Sequence, residues 1–354
     1  MKRSMIYAGV DEAGYGPLLG PLCVGCAVFV LPDAIAEAAE PPCLWKALSG
    51  AVCRATNDKR RRIAVEDSKK LKGAKDAAAH PLRHLERGVS AFASAVPGAP
   101  AEWPDDDALL GALGAHPRSA AASPPTSALA PATTPAPPWH ADPLPLPVGN
   151  DAAGLRIAGA MLRAGLAKAA IECTALRVRA IDAAEFNAQA TRVGNKATIN
   201  FMAAMVHVDA IRRMAAERAQ DAWVALDRQG GRTGYREPLQ SSFPDARIRV
   251  LEESDGQQRY RLEFAPSAGL PAHAVTVGFE LGGEERHLPI ALASMAAKFA
   301  RELHMRRLNA FFARHVPDLR PTAGYVQDGR RWLDDLGTAP RDLGIAESAL
   351  VRAF

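Results

Sequence analysis

The chain lacks a long apolar run, a second cysteine pair and an internal repeat, and each absence narrows what it can be. No stretch approaches the roughly 18–20 apolar residues that a membrane-crossing helix needs. Met1-Lys2-Arg3-Ser4 leads straight into Met5-Ile6-Tyr7 without a long apolar signal region. Membrane insertion and export are therefore not expected, and a cytoplasmic setting is. Five cysteines form an odd set; Cys23 and Cys26 make one C-x-x-C within an apolar strand, and Cys43 and Cys53 do not repeat the spacing. A zinc site lacks its second ligand pair, so buried, reduced thiols are expected. Charge of either sign is nearly cancelled, 43 Lys and Arg against 39 Asp and Glu, leaving +4. That balance permits a polyanionic partner without arguing for one. The remaining composition, 48% hydrophobic and 23% charged over 354 residues, is a globular mixture sufficient for one large domain or two ordinary ones.

The densest signal lies at the start. Met5 to Val10 is an apolar run closed by two acids, Asp11 and Glu12, and followed by Gly14, Gly16 and Gly20 with Pro17 and Pro21 between them. A short buried strand would deliver carboxylates at its end, where glycines let the backbone approach another group and prolines stiffen it. Asp-Glu before Gly is also a plain turn signal. Leu22 to Val30 reads as a second strand pairing antiparallel with the first. Asp221 to Asp227 repeats the pattern of an apolar run ending in one acid, as in a buried parallel strand with its last carboxylate at the sheet's C-terminal edge. Taken alone, Asp227 is an ordinary strand-end aspartate.

Asp11-Glu12-Ala13-Gly14-x-Gly16-Pro17-Leu18-x-Gly20-Pro21 resembles the opening signature of the type 2 ribonucleases H, the HII and HIII enzymes, which cut RNA strands paired with DNA. Tyr15 departs from it, since the family usually places Arg or Lys there. Asp67-Ser68-Lys69-Lys70-Leu71 is similar to a D-S-K-K-L segment near the nucleic acid in that family, although alone it is a polar turn. Ser294, Ala297, Lys298, Arg301 and Glu302 resemble the family's S-x-x-A-K-x-x-R-acid helix, with Glu for the usual Asp; on their own, Lys298 and Glu302 are an i,i+4 surface pair. Thr322-Ala323-Gly324-Tyr325 resembles its K-G-Y segment with the lysine replaced by Ala323.

The resemblance implies a ribonuclease H-like α/β fold, a mixed five-stranded sheet flanked by helices. It implies hydrolysis of the RNA strand of an RNA/DNA hybrid or ribonucleotide-containing duplex by a monomer, through two Mg²⁺ or Mn²⁺ ions, leaving 3′-hydroxyl ends. Asp11, Glu12, Asp227 and Glu302 would be the catalytic, metal-holding acids. Gly14, Tyr15, Gly16, Ser68, Lys69, Lys70, Ser294, Lys298 and Tyr325 would contact substrate. The chemistry agrees in kind: phosphodiester hydrolysis needs an activated water and a neutralised leaving oxygen, and paired divalent ions held by hard carboxylate oxygens supply both. Two rivals stay open, a non-catalytic nucleic-acid-binding module on the same fold and a DNA-directed nuclease.

Along the rest of the chain, a helix is expected near Ala34–Ala51, and Lys59-Arg60-Arg61-Arg62 is either a solvated face or a phosphate contact. Residues 96–150 are rich in Pro, Ala, Ser and Thr and hold about half of the 27 prolines. They read as an extended or disordered insertion that contributes no core and whose deletion over 97–147 is tolerated. Residues 1–95 and 151–354 then form the catalytic domain. Asp105-Asp106-Asp107 within the insertion reads as solvated charge. A helix from Ala152, a strand over 175–181, a helix through Phe201 to Ile211, a strand at 247–252 and an added hairpin over 254–288 follow. Arg306, Arg307, Arg314, Arg320, Arg330 and Arg331 accumulate near the end in a distribution suited to phosphates.

Overall fold

The computed structural model describes residues 4–32, 40–73, 79–116, 136–229, 232, 234–266 and 269–353. The apolar run that begins the chain becomes β1 (Met5–Ala13), paired antiparallel with β2 (Leu22–Leu31), which pairs antiparallel with β5 (Glu172–Ile181). On its other side β1 runs parallel to β6 (Ala222–Asp227), and β6 parallel to β9 (His273–Glu280). These five strands give the mixed sheet expected, three antiparallel and flanked by helices, but the fifth is His273–Glu280, from the tract read as an added hairpin, and not the strand expected at 247–252. The sheet does not stop there: β8 (Gln257–Phe264) and β7 (Arg247–Glu253) add antiparallel, making seven strands in the order β5-β2-β1-β6-β9-β8-β7. Two-residue strands β3 (Val52–Cys53) and β4 (Ile63–Ala64) pair separately.

The principal helices are α1 (Arg83–Ala93), α2 (Asp106–Leu113), α3 (Ala152–Ala169), α4 (Ala183–Val193), α5 (Lys196–Arg218), α6 (Arg236–Ser242), α7 (Leu288–Ala313) and α8 (Val326–Leu336). Alternation along the strands feeds a core on each face. Tyr7 and Phe29 pack with α7 residues such as Met295 and Phe299, whereas Ile6, Ala8 and Val10 pack with Ile199 and Val208 of α5. α7 lies directly on the strands: a Cβ on Gly9 would fall 2.1 Å from the Ile290 nitrogen, and one on Gly25 2.1 Å from the Ala293 carbonyl oxygen. Only glycine allows that approach. Cys23 and Cys26 enter the cores of opposite faces and are unbonded; Cys43 alone of the five is exposed.

Residues 96–150 depart from expectation where they are described. Asp105 caps α2 by accepting from the Ala108 N–H at 2.8 Å, Gly114 ends it at φ 68°, and Leu109, Leu110 and Leu113 are fully buried. Trp139 joins a third cluster with Phe312 and Trp332. A capped leucine helix inside the Pro/Ala tract buries enough to override its average composition. Asp106 is likewise buried rather than solvated, gripped by Arg307 Nη2 at 2.6 Å and Nε at 3.0 Å. That pair corrects the reading of the C-terminal arginines as well: Arg307 is internal, Arg331 bonds Asp328 and Asp335, and Arg314 bonds Asp142. Of the helix expected over 34–51, Leu44–Ala47 is the helical part among the described residues. Its residues 34–39, and the proline runs at 123–126 and 134–135, lie outside the described residues.

Candidate active site

β1 and β6 end side by side, so Asp11 and Asp227 meet at the sheet's C-terminal edge. Successive strand residues face opposite ways. Asp11 points to the α7 side, where the Ser294 hydroxyl bonds it, while Glu12 points to the α5 side and bonds Asn200. Asp227 Oδ1 accepts the Gly283 N–H at 3.0 Å, which fixes the one-turn helix Gly283–Arg286 against the strand end. That turn carries Glu284, whose carboxyl lies against that of Asp227.

The four carboxyls form one electrostatic unit. Burial raises the Asp11 pKa well above the usual aspartate value, with the charges of Glu12, Asp227 and Glu284 adding to it and the Ser294 hydrogen bond opposing it. Glu12, Asp227 and Glu284 are all raised as well, burial first in each case and a neighbouring acid next among the raising causes. Among the described residues no three His, Cys, Asp or Glu side chains converge closely enough to clasp a metal ion. The donor chemistry nevertheless fits one: four hard-oxygen carboxyls raise one another's pKa values even with the Lys69 charge near Glu12, and a divalent ion would relieve that repulsion.

Glu302 stands apart from this group. It is two turns beyond Ser294 on α7, about 12 Å along the axis, and its Oε1 bonds Lys72 at 2.7 Å and Lys298 at 3.0 Å. Although burial works the other way, the two lysines hold its carboxyl below the ordinary glutamate range. The i,i+4 pair is what the structure contains, and Glu284 occupies the place beside Asp227. Nothing in the sequence distinguished Glu284 from Glu285; the turn Gly282-Gly283-Glu284-Glu285 reads as solvated charge until Gly283 docks on Asp227.

The other sequence candidates surround the acids. Ser68 begins a one-turn helix capped by Asp67, and its hydroxyl lies 3.0 Å from that of Ser294. Lys69 places its charge near Glu12, and Lys70 bonds Glu285 at 3.0 Å. Gly14 takes φ 85° where a Cβ would meet Arg301 Cδ and the Pro21 carbonyl oxygen, both at 2.7 Å. Tyr15 has the Lys196 ammonium 4.8 Å from its ring centroid, so a cation stands near the glycine loop, supplied by α5 rather than by the loop itself. Buried Arg301 ties the loop to the C-terminal segment by donating to the Leu19 (3.2 Å), Pro21 (3.3 Å) and Ala323 (2.9 Å) carbonyls. Gly324 accepts from the Leu18 and Leu19 N–H groups, leaving Tyr325 53% exposed beside the loop. Arg301 had been legible as part of the α7 pattern; its work as a staple had not.

No protein-family profile matches the chain, and neither does a curated protein sequence. Solved structures do. Ribonuclease H2 of Pyrococcus horikoshii is 13% identical with a TM-score of 0.42, covering 98% of this chain and 92% of that one. Ribonuclease H3 of Aquifex aeolicus is 13% identical with a TM-score of 0.40, covering 98% and 71%. Ribonuclease HII of Archaeoglobus fulgidus, solved in a complex with PCNA, is 13% identical with a TM-score of 0.36, covering 98% and 93%. At these levels the correspondence lends nothing to the assignment of individual residues. No helix among the described residues is long and apolar enough to cross a membrane.

Proposed function

We propose that the chain is a metal-dependent endonuclease that hydrolyses the RNA strand of RNA/DNA hybrids or ribonucleotide-containing duplexes and leaves 3′-hydroxyl ends. The observation that carries this reading is the parallel register of β1 and β6, which brings Asp11 and Asp227 together with Glu12 next along β1 and Glu284 docked through Gly283, beside a glycine loop with the Asp11–Pro21 signature. Asp11, Glu12, Asp227 and Glu284 would hold two Mg²⁺ or Mn²⁺ ions, Glu284 taking the place first given to Glu302. When bound, such ions activate water and neutralise the departing oxygen.

The protein's own groups do the positioning. Ser294 orients the Asp11 carboxylate, and Gly283 and Asn200 do the same for Asp227 and Glu12. Lys69 faces a substrate backbone with an ammonium donor, Ser68 backs Ser294 through their hydroxyl contact, and Lys298 holds Glu302. The loop amides around Gly14 to Gly16 approach the ribose, with Tyr15 and Lys196 at its flank and Tyr325 offering an exposed ring to a sugar. Residues 1–95 and 151–354 compose the catalytic unit, completed by the folded parts of 96–150, and the chain acts as a monomer in the cytoplasm.

The test is cleavage of a hybrid, of double-stranded DNA and of a duplex with one ribonucleotide, with Asp11→Asn and Asp227→Asn alongside. Cleavage confined to ribonucleotide-containing substrates and lost in both variants is expected. Cleavage of DNA alone, or full activity in either variant at saturating Mg²⁺ or Mn²⁺, overturns the reading.

A further inference from the structure

The four acids do not account for a second charged feature on the molecule. An open cavity of about 630 Å³ lies between the β4 region and the start of α1, lined among others by Arg61, Arg62, Arg83, His84, Arg87 and Asp151. Its two acids have partners, and Asp151 keeps its charge near Arg87. Asp58 is bound by Arg62 through Nη2 at 2.7 Å and Nε at 3.2 Å, and Asp151 caps α3 by accepting from the Gly154 N–H at 2.7 Å. Arg87 bonds the carbonyl oxygens of Arg61 (2.8 Å) and Gly154 (3.4 Å) rather than a carboxylate, and Arg61 and Arg83 make no ion pair among the described residues. Three guanidiniums are thus left facing one space.

Two further facts mark the cluster as built. Arg61 is held at φ 56°, a left-handed conformation costly for a side chain other than glycine. The opposite wall is pinned by fully buried Glu86, which accepts from the Val148 and Gly149 N–H groups and the Asn150 side chain, setting Gly149 against His80 and Arg83. Burial lowers the pKa of Arg87 and the nearby charges of Arg83 and Arg61 lower it further, against the opposing charge of Asp151; His84 responds the same way to burial, Arg83 and Arg87. An anion in the cavity relieves that repulsion, and guanidiniums match phosphate oxygens in geometry.

The cluster is joined to the acids by a short path. Ile63–Ala64 runs from Arg62 toward Ser68, which touches Ser294. Six residues at about 3.3 Å each bound the separation of Arg62 and Ser68 at about 20 Å. That is at most about six phosphates of one strand at 3.4 Å each. We infer that Arg61, Arg83 and Arg87 form a phosphate-binding site for the backbone of the substrate duplex within about six nucleotides of the scissile bond. This inference rests on the proposed reading that the substrate is a nucleic-acid duplex.

Binding is measured by fluorescence anisotropy on the full chain in EDTA, using a hairpin hybrid of about eight base pairs and a linear hybrid of 24. The double variant Arg61→Gln/Arg83→Gln changes exposed side chains, and Arg83→Gln alone is run beside it. The double variant is expected to bind the long hybrid about tenfold more weakly at 0.1 M salt, with the slope of log K against log[salt] reduced by about two. The short hybrid's affinity and kcat are unchanged. Equal loss on both lengths, or none on the long one, overturns the inference. Calorimetry with inorganic tripolyphosphate supplies the last arm: saturable binding lost in the double variant, with long-hybrid affinity intact, assigns the cavity to a free polyphosphate and also overturns it. A length effect in a wild-type chain that cleaves no hybrid would instead remove the nuclease reading and leave the site standing.

Discussion

Glu284 and Glu302 carry the same carboxylate and meet opposite surroundings. Glu284 is pressed against Asp227 and raised; Glu302 sits between two ammonium groups and is lowered. Glu284→Gln is therefore expected to cut kcat by more than about a hundredfold, beyond what loss of an outer-shell group costs, without loss of fold. Glu302→Gln is expected to keep kcat within about tenfold and instead to lower stability at pH 7 by about 1–2 kcal/mol. The pH dependence of that loss follows from the direction of its shift. A carboxyl whose folded pKa lies below its unfolded one contributes stability that is full above about pH 4.3 and disappears as pH falls through the lower folded value. Urea unfolding of wild type and Glu302→Gln should hence diverge at pH 7 and converge in acid. Comparable loss of kcat in both variants would return Glu302 to the metal site. The sequence made Asp11, Glu12 and Asp227 readable because each closes an apolar run at a strand end. Glu284 was unreadable because its role comes from one long-range bond, Gly283 to Asp227, that no local pattern announces.

The helix Asp106–Leu113 shows the same limit at the level of elements. Its signals are local and present: an aspartate cap, leucines on one face and Gly114 in the left-handed region. They were hidden by averaging over a tract whose prolines lie mostly elsewhere. Strands, which depend on runs of apolar residues, survived such averaging, although the added hairpin is 247–264 and 273–280 takes the place beside β6, whereas the buried ion pair of Asp106 and Arg307 spans 201 positions and had no sequence trace. Deleting residues 97–147 is consequently expected to abolish cooperative folding, contrary to what composition suggests. Arg307→Leu is expected to cost about 3–5 kcal/mol, because it leaves a buried carboxylate without its counter-charge, held by the Leu144 N–H. Asp106→Leu/Arg307→Leu should recover much of that loss. Thermal and urea unfolding decide the matter; a double variant no more stable than Arg307→Leu would mean that packing around the pair, rather than the stranded charge, sets the cost.

Across the whole molecule, the strand ends concentrate four carboxyls that folding makes harder to ionise, and this gives the chain a testable dependence on pH and on divalent ions. A carboxyl with a raised folded pKa makes the folded state bind more protons than the unfolded one. Stability from such groups is greatest below the unfolded value near 4 and declines as pH climbs through the raised values. At neutral pH the four acids oppose folding, and an ion that binds them only when folded removes that opposition and adds its own binding free energy. With the ion at a hundred times its Kd the gain is about 2.7 kcal/mol, worth several degrees in Tm for a chain of this size. Millimolar Mn²⁺ or Mg²⁺ is therefore expected to raise Tm at pH 7.5, to raise it much less at pH 5, and to leave Asp11→Asn/Asp227→Asn almost unmoved. That double variant should itself melt higher than the wild type when both are metal-free at pH 7.5, because two repelling charges are gone. A Tm rise of the same size at both pH values, or one that persists in the double variant, would show that the ion binds elsewhere and that the acid cluster is held together by protons alone.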